Sequence, residues 1–176
     1  MTSVTTRPPF DPELATFLTA LQARGPFTLT TEMLPRMRAL ETTEDELDQD
    51  LRDRGLVDGR PVEVPADLGI DQHRGLIAEL HTHDDSGVLH VESGDSHLTF
   101  TLGQLFTEWG VELDAEDLGG LHADGGEQLR AYVDGRPVEG DPGRIELADH
   151  QEIALVYGTG QPGHVPDSYD FAAAGL

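Results

Sequence analysis

The stretch that indicates the fold is residues 76–109, LIAELHTHDDSGVLHVESGDSHLTFTLGQLFTEW. Within it, the pattern of apolar residues changes from the alternation of strands to the spacing of a helix. Leu76 to His83 and Val88 to Glu92 alternate as strands do, and the Asp-Asp-Ser-Gly sequence between them favours a hairpin turn. The segment His97 to Thr101 predicts a third strand. Leu102 to Trp109 then places apolar residues three and four apart before Gly110, which predicts a short helix that ends there.

The chain after this helix returns to strands. Leu129 to Val133 predicts a strand, Asp134-Gly135 a type I′ turn and Pro137-Val138 the returning strand. Ile153 to Tyr157, the apolar run IALVY, predicts a buried last strand. A hairpin, a helix and then strands that end in an apolar run follow the order of a β-grasp fold. The sequence therefore predicts an α+β domain with a β-grasp-like mixed sheet and one packed helix.

The first third of the chain has a helical pattern instead. Residues 11–23 predict an amphipathic helix, and Thr31 is the predicted start of a second helix that carries Met33, Leu34, Met37 and Leu40. A third helix is predicted from Thr43 to Gly55, because Glu46 occupies the capping-box position. These patterns divide the chain into a helical N-terminal arm at 1–59 and a β-grasp-like domain at 60–176.

The candidate chemistry lies in LHTHDDSGVLHVES, residues 80–93. Side chains two residues apart in a strand share a face, so His81 and His83 point the same way. If the turn closes evenly, opposed residues have numbers that sum to 171. His81 then faces His90, and Glu79 faces Glu92. Three imidazoles and two carboxylates are thus predicted on one face, although a slip by one residue would turn His90 away.

This arrangement predicts a metal site with His81, His83 and His90 as ligands. Opposed Cβ atoms lie about 4.5–5.5 Å apart, close enough for two imidazoles to reach one ion. Nitrogen donors favour a divalent metal such as zinc, and the geometry is similar to the three-histidine site of carbonic-anhydrase-like enzymes. Glu92 or Glu79 is a candidate further ligand or a general base for a bound water. The alternative is that these are surface or cross-strand histidines that hydrogen-bond neighbouring carboxylates and only help solubility.

Two other segments are weaker candidates. His150 lies beside Asp149 near the last strand, and an exposed loop histidine is the simpler interpretation. The acidic loop from Asp114 to Asp124 lacks the ligand spacing and the central glycine of an EF-hand, so the sequence does not predict a dedicated calcium site.

Residues 60–176 resemble a family of uncharacterised bacterial and archaeal proteins that carry the motif LHTHDxSGVxHVES. Matching segments stand at Val62–Ile70, Leu80–Ser93, Phe100–Gly110, Val133–Pro142 and His150–Gly158. The resemblance implies no activity, but it implies that the histidine hairpin is part of the domain. The tail from Arg144 to Gly158 also resembles the closing strands of ubiquitin-like and sulfur-carrier domains.

Two stretches near the N-terminus, PFDPELATFLTAL and LTTEMLPRMRAL, resemble the cap helices of hormone-sensitive-lipase-type esterases. The chain has no G-x-S-x-G motif and no HGGG-type loop, so esterase chemistry is not implied. The resemblance implies at most a docking or lid-like arm. It supports the competing interpretation of a non-catalytic interaction module, in which residues 11–54 contact a protein partner or a second copy of the chain.

The amino-acid composition limits the kinds of molecule that the protein is expected to bind. The 176 residues include 34 acidic and 11 basic residues, all of the latter arginine, for a net charge of −23. Such a field repels nucleic acid and anionic membrane surfaces. The absence of cysteine means that any metal site must use histidine and carboxylate. The sequence has no secretory signal and no apolar run as long as a membrane span, so a cytoplasmic location is expected.

Overall fold

The computed structural model describes residues 38–39, 47–57, 60–62, 64–160, 162, 165, 167–174 and 176. Among these, the strands in chain order are β1 Arg38–Ala39, β2 Leu47–Val57, β3 Arg60–Val62, β4 Ile70–Asp71, β5 Leu76–Ile77, β6 Leu80–His81, β7 Val88–Ser93, β8 Asp117–Leu118, β9 Leu121–His122, β10 Glu127–Val133, β11 Arg136–Val138 and β12 Glu152–Thr159. The helices are α1 Leu102–Trp109 and α2 Phe171–Ala174, with a 3-10 turn at Pro142–Arg144.

The main sheet is mixed and runs in the order β11-β10-β12-β2-β7-β6, and β3 pairs with β2. The two central strands, β12 and β2, are parallel, whereas every other neighbouring pair in this sheet is antiparallel. Two small sheets, β1-β5-β4 and β8-β9, complete the strands of the described residues. The predicted α+β class is therefore confirmed.

Strand β2 corrects the sequence analysis. The third helix, predicted from Thr43 to Gly55, is wrong, because Leu47–Val57 is a central strand paired on one side with β12 and on the other with β7. The capping signal and the spacing of Leu47 and Leu51 are local, and pairing on both sides outweighs them. Strands from both sides of position 59/60, the predicted domain boundary, thus belong to one sheet.

The other predicted helices of the arm fall mostly outside the described residues. The helix at 11–23 lies wholly outside them and stays a prediction. The second predicted helix is wrong over Arg38–Ala39, which form β1 and pair with β5. Of the predicted partner-binding segment at 11–54, the structure describes residues 38–39 and 47–54, and both stretches are strand.

Helix α1 confirms its prediction and forms one wall of the core. Its start is held by the Thr101 N–H, which donates to Gln104 Oε1 at 2.7 Å, and it ends at Gly110, whose φ is 70°. Four of its side chains are buried and belong to one apolar cluster with alternate residues of β7 and β12: Leu102, Leu105, Phe106, Trp109, Leu89, Val91, Ile153 and Leu155. Because strand side chains alternate, His90 and Glu92 of β7 lie on the sheet face away from α1.

The remaining strand predictions are confirmed in part. The segment Leu76 to His83 is interrupted, and it supplies β5 to a small sheet and β6 to the main one. The predicted strand from His97 to Thr101 is wrong except for a single bridge from Thr101 to Glu146. Asp134 and Gly135 have φ values of 50° and 71°, as a type I′ turn requires. Among the described residues, neither helix has the length and apolar character needed to cross a membrane.

Candidate metal centre

The hairpin has the register that the sequence predicts. Leu80 pairs with Val91 and His81 with His90, so the numbers of opposed residues sum to 171. One step further, the Glu92 N–H donates to the Glu79 carbonyl at 2.8 Å, which continues the same register. Since directly opposed residues share a face, His81 joins His90 on the sheet face away from α1.

The three imidazole rings form one cluster. The His81 and His90 rings are stacked, with centroids 5.3 Å apart and planes at 17°. The His83 ring lies edge-on to both, with its centroid 4.8 Å from that of His81 and 4.6 Å from that of His90. The structure thus brings all three predicted histidines together near the turn of the hairpin.

His81 is the buried member of the cluster. Its side chain has no exposed surface, and its Nδ1 lies 3.1 Å from the Ala78 carbonyl. Since a carbonyl oxygen can only accept, we assign the proton to Nδ1. In the neutral form of the ring the lone pair is then on Nε2, and a backbone partner of this kind is what commonly orients a metal-binding histidine.

Glu92 brings a carboxylate to the same point. Its Oε1 lies 3.9 Å from His81 Nε2, and the Glu92 side chain is about one-fifth exposed. One possible ligand atom from each of His81, His83 and Glu92 can be chosen so that all three lie within 4.8 Å of one another. His83 is exposed, so the group runs from the buried His81 to the solvent. Glu92, which the sequence analysis named as a further ligand or a base, is therefore close enough to His81 and His83 to be a ligand of the same ion. The His90 ring lies next to the rings of His81 and His83.

Glu79 is held by a residue that the sequence analysis missed. The hydroxyl of Ser93 donates to Glu79 Oε1 at 2.6 Å and also accepts from the Asp95 N–H at 3.2 Å. Ser93 is fully buried at the end of β7. No local signal indicates this role, because a serine followed by a glycine at a strand end is typical of a turn.

The turn of the hairpin is closed by its own polar groups. The Ser86 N–H donates to Asp84 Oδ1 at 2.9 Å, and the Val88 N–H donates to Ser86 Oγ at 3.2 Å. Side-chain and backbone hydrogen bonds from Ser86 are the main cause that lowers the pKa of Asp84 below its ordinary value of 3.8, and the nearby charges of His90 and His83 lower it further. The ionised Asp84 therefore adds negative potential beside the two more exposed histidines.

A second group of possible ligands lies far from the hairpin in sequence. Ligand atoms of Glu112, Asp114 and Asp117 lie within 4.8 Å of one another, at residues that are exposed or half-buried. Backbone N–H groups of Glu116 and Asp117 lower the pKa of Asp114. Exposed carboxylates held by turn hydrogen bonds are common, so this group does not argue for a calcium site in the loop.

His150 is an exposed loop residue, as the sequence predicted. Its Nδ1 lies 3.6 Å from Asp149 Oδ2, and both side chains are more than half exposed. Its ring also contacts that of Phe171, with centroids 4.8 Å apart.

Comparisons with known proteins add no identity: no family model, no curated protein and no solved structure gives a significant match to this chain.

Proposed function

We propose that the histidine hairpin binds a divalent metal ion through His81, His83 and His90, with Glu92 as a fourth ligand. The observation that carries this proposal is the grouping of ligand atoms from His81, His83 and Glu92 within 4.8 Å of one another. His90 is the proposed third nitrogen donor because its ring is stacked on that of His81 with centroids 5.3 Å apart, although its ligand atoms are not part of the group within 4.8 Å. The alternative of surface or cross-strand histidines that hydrogen-bond carboxylates fits less well, because His81 is fully buried and its Nε2 lies 3.9 Å from Glu92 Oε1, too far for a hydrogen bond.

The spacing is compatible with one ion. Ligands about 2.0–2.1 Å from a tetrahedral metal lie roughly 3.3 Å from one another. The ligand atoms of His81, His83 and Glu92, which lie within 4.8 Å of one another, need to approach by up to about 1.5 Å, which rotation of the exposed His83 and the partly exposed Glu92 can supply. His81 is fixed by its bond to the Ala78 carbonyl, so it is the ligand around which the others arrange.

The donor set favours a borderline metal. Imidazole suits zinc, copper, nickel and iron, whereas magnesium and calcium prefer sites made of oxygen. We propose zinc, because histidine nitrogens and carboxylate oxygens are both common ligands of tetrahedral zinc.

The two carboxylates have different roles in this proposal. Glu92 lies at ligand distance and, together with the three histidines, would complete a closed four-coordinate zinc site. Where a water molecule replaces Glu92, the ion would lower the pKa of that water, and Glu79 would then be the candidate proton acceptor. The Ser93 hydroxyl, 2.6 Å from Glu79 Oε1, holds the Glu79 carboxylate in place.

We also propose that the main sheet is of the β-grasp type. The supporting observation is its strand order: β7, β2, β12, β10 and β11 are neighbours in that sequence, with a parallel central pair. Helix α1 lies between β7 and β10 in the chain and packs on one face. The first strand of this arrangement is β2, and the histidine hairpin adds β6 at the edge.

Calorimetric titration of the metal-free, tag-free protein with zinc tests the metal proposal. We expect one equivalent to bind, and His81→Ala to lose most of the affinity. His73→Ala is the matched control, because His73 is an exposed histidine outside the cluster. Equal zinc binding by the wild type and His81→Ala would contradict the proposal.

A further inference from the structure

We infer that Thr82 is a positioning residue for the metal site and acts by fixing His83. The inference rests on the proposed metal binding. Thr82 lies between His81 and His83 in the chain and is fully buried.

Three hydrogen bonds tie Thr82 to the segment from Pro65 to Leu68. Its hydroxyl donates to the Pro65 carbonyl at 2.7 Å and accepts from the Leu68 N–H at 3.0 Å. Its own N–H donates to the Leu68 carbonyl at 3.0 Å. The single hydroxyl therefore satisfies two backbone groups, and removing it would leave both without this partner, which is destabilising where the groups are buried.

The position of the His83 ring depends on these three hydrogen bonds of Thr82 more than the position of the His81 ring does. Strand β6 ends at His81, which is paired with His90 and bonded to the Ala78 carbonyl. His83 follows Thr82 beyond the end of the strand and is exposed. The hydrogen bonds between Thr82 and the Pro65–Leu68 segment therefore hold the backbone next to His83. This backbone places the His83 ring against the rings of His81 and His90.

The experiment compares zinc affinity in Thr82→Val, which keeps the shape and removes the hydroxyl, and in Thr82→Ser, which keeps the hydroxyl. We expect Thr82→Val to weaken binding about 10-fold or more, as is usual when a residue that supports a ligand is lost. We expect Thr82→Ser to retain it. Thr107→Val is the control, because the exposed Thr107 hydroxyl also donates to a backbone carbonyl, that of Gly103, at 2.7 Å.

A double-mutant cycle separates positioning from a general loss of stability. In a His83→Ala background, the substitution Thr82→Val should change zinc affinity by less than about 2-fold, because coupled residues do not act additively. An undiminished effect in that background would overturn the inference. If Thr82→Val does not fold, Thr82→Ala replaces it, since the space left admits water to the two backbone groups.

The failures are distinguishable. A wild-type protein that binds no zinc overturns the proposed function itself. A wild type that binds zinc, with Thr82→Val binding equally well, overturns only the role of Thr82.

Discussion

His81 and His90 lie directly opposite each other in the hairpin, with their rings stacked at 5.3 Å. This register places both rings on one face of the sheet, whereas a shift by one residue would turn His90 toward the core. The pairing therefore links the fold to the proposed metal site.

Gly69 is expected to support the site by close approach. Its φ is 75°, and a Cβ added there would collide with the Leu80 carbonyl and lie 3.1 Å from His81 Cβ. Gly75 has a similar φ of 63° but no atom near the added Cβ, so Gly75→Ala is a matched control. Both substitutions should cost about 1–2 kcal/mol for the left-handed backbone. Gly69→Ala should lose a further ~1–3 kcal/mol from overpacking, measured by urea denaturation. Equal losses would contradict the close approach.

The His122–Asp117 pair predicts a pH effect. The hydrogen bond from His122 Nδ1 to Asp117 Oδ1, at 2.8 Å, raises the pKa of His122 above its ordinary value of 6.5. Because the pKa is raised in the folded protein, the pair stabilises fully below pH 6.5, and this stabilisation is lost as the pH rises through the folded pKa. NMR titration should show the raised pKa, and Asp117→Asn should lower it. An unchanged His122 titration in that variant would contradict the assignment.

The central position of β2 predicts that residues 61–176 do not fold alone. Removal of β2 would leave β12 and β7 without the strand that lies between them, and their backbone groups would lose their partners. A fragment beginning at residue 61 should give a poorly dispersed NMR spectrum, whereas the full chain should give a dispersed one. A well-dispersed spectrum from the fragment would show that β2 is dispensable.

The sequence predicts the features that depend on local order. The hairpin register, helix α1 and the Asp134-Gly135 turn are all set by residues close together in the chain, and all three are confirmed. Strand β2 could not be predicted in this way, because its partners β7 and β12 lie far along the chain and its local pattern favours a helix.

The candidate site likewise has features that the sequence predicts and features that it does not. The grouping of the histidines follows from strand alternation and the even turn. The roles of Ser93 and Thr82 do not, because each depends on a contact at least 14 residues away in the chain. The position of Glu92 at ligand distance follows from the same register, although its choice over Glu79 required the side-chain geometry.

The most direct test of the central claim is an NMR experiment that reads the ring nitrogens of each histidine while zinc is added. One equivalent of zinc should shift His81 Nε2 to the position of a metal-bound nitrogen while its Nδ1 stays protonated. His83 and His90 should shift with it, and His73 should not. Unchanged ring nitrogens at His81, His83 and His90 after one equivalent would contradict the account.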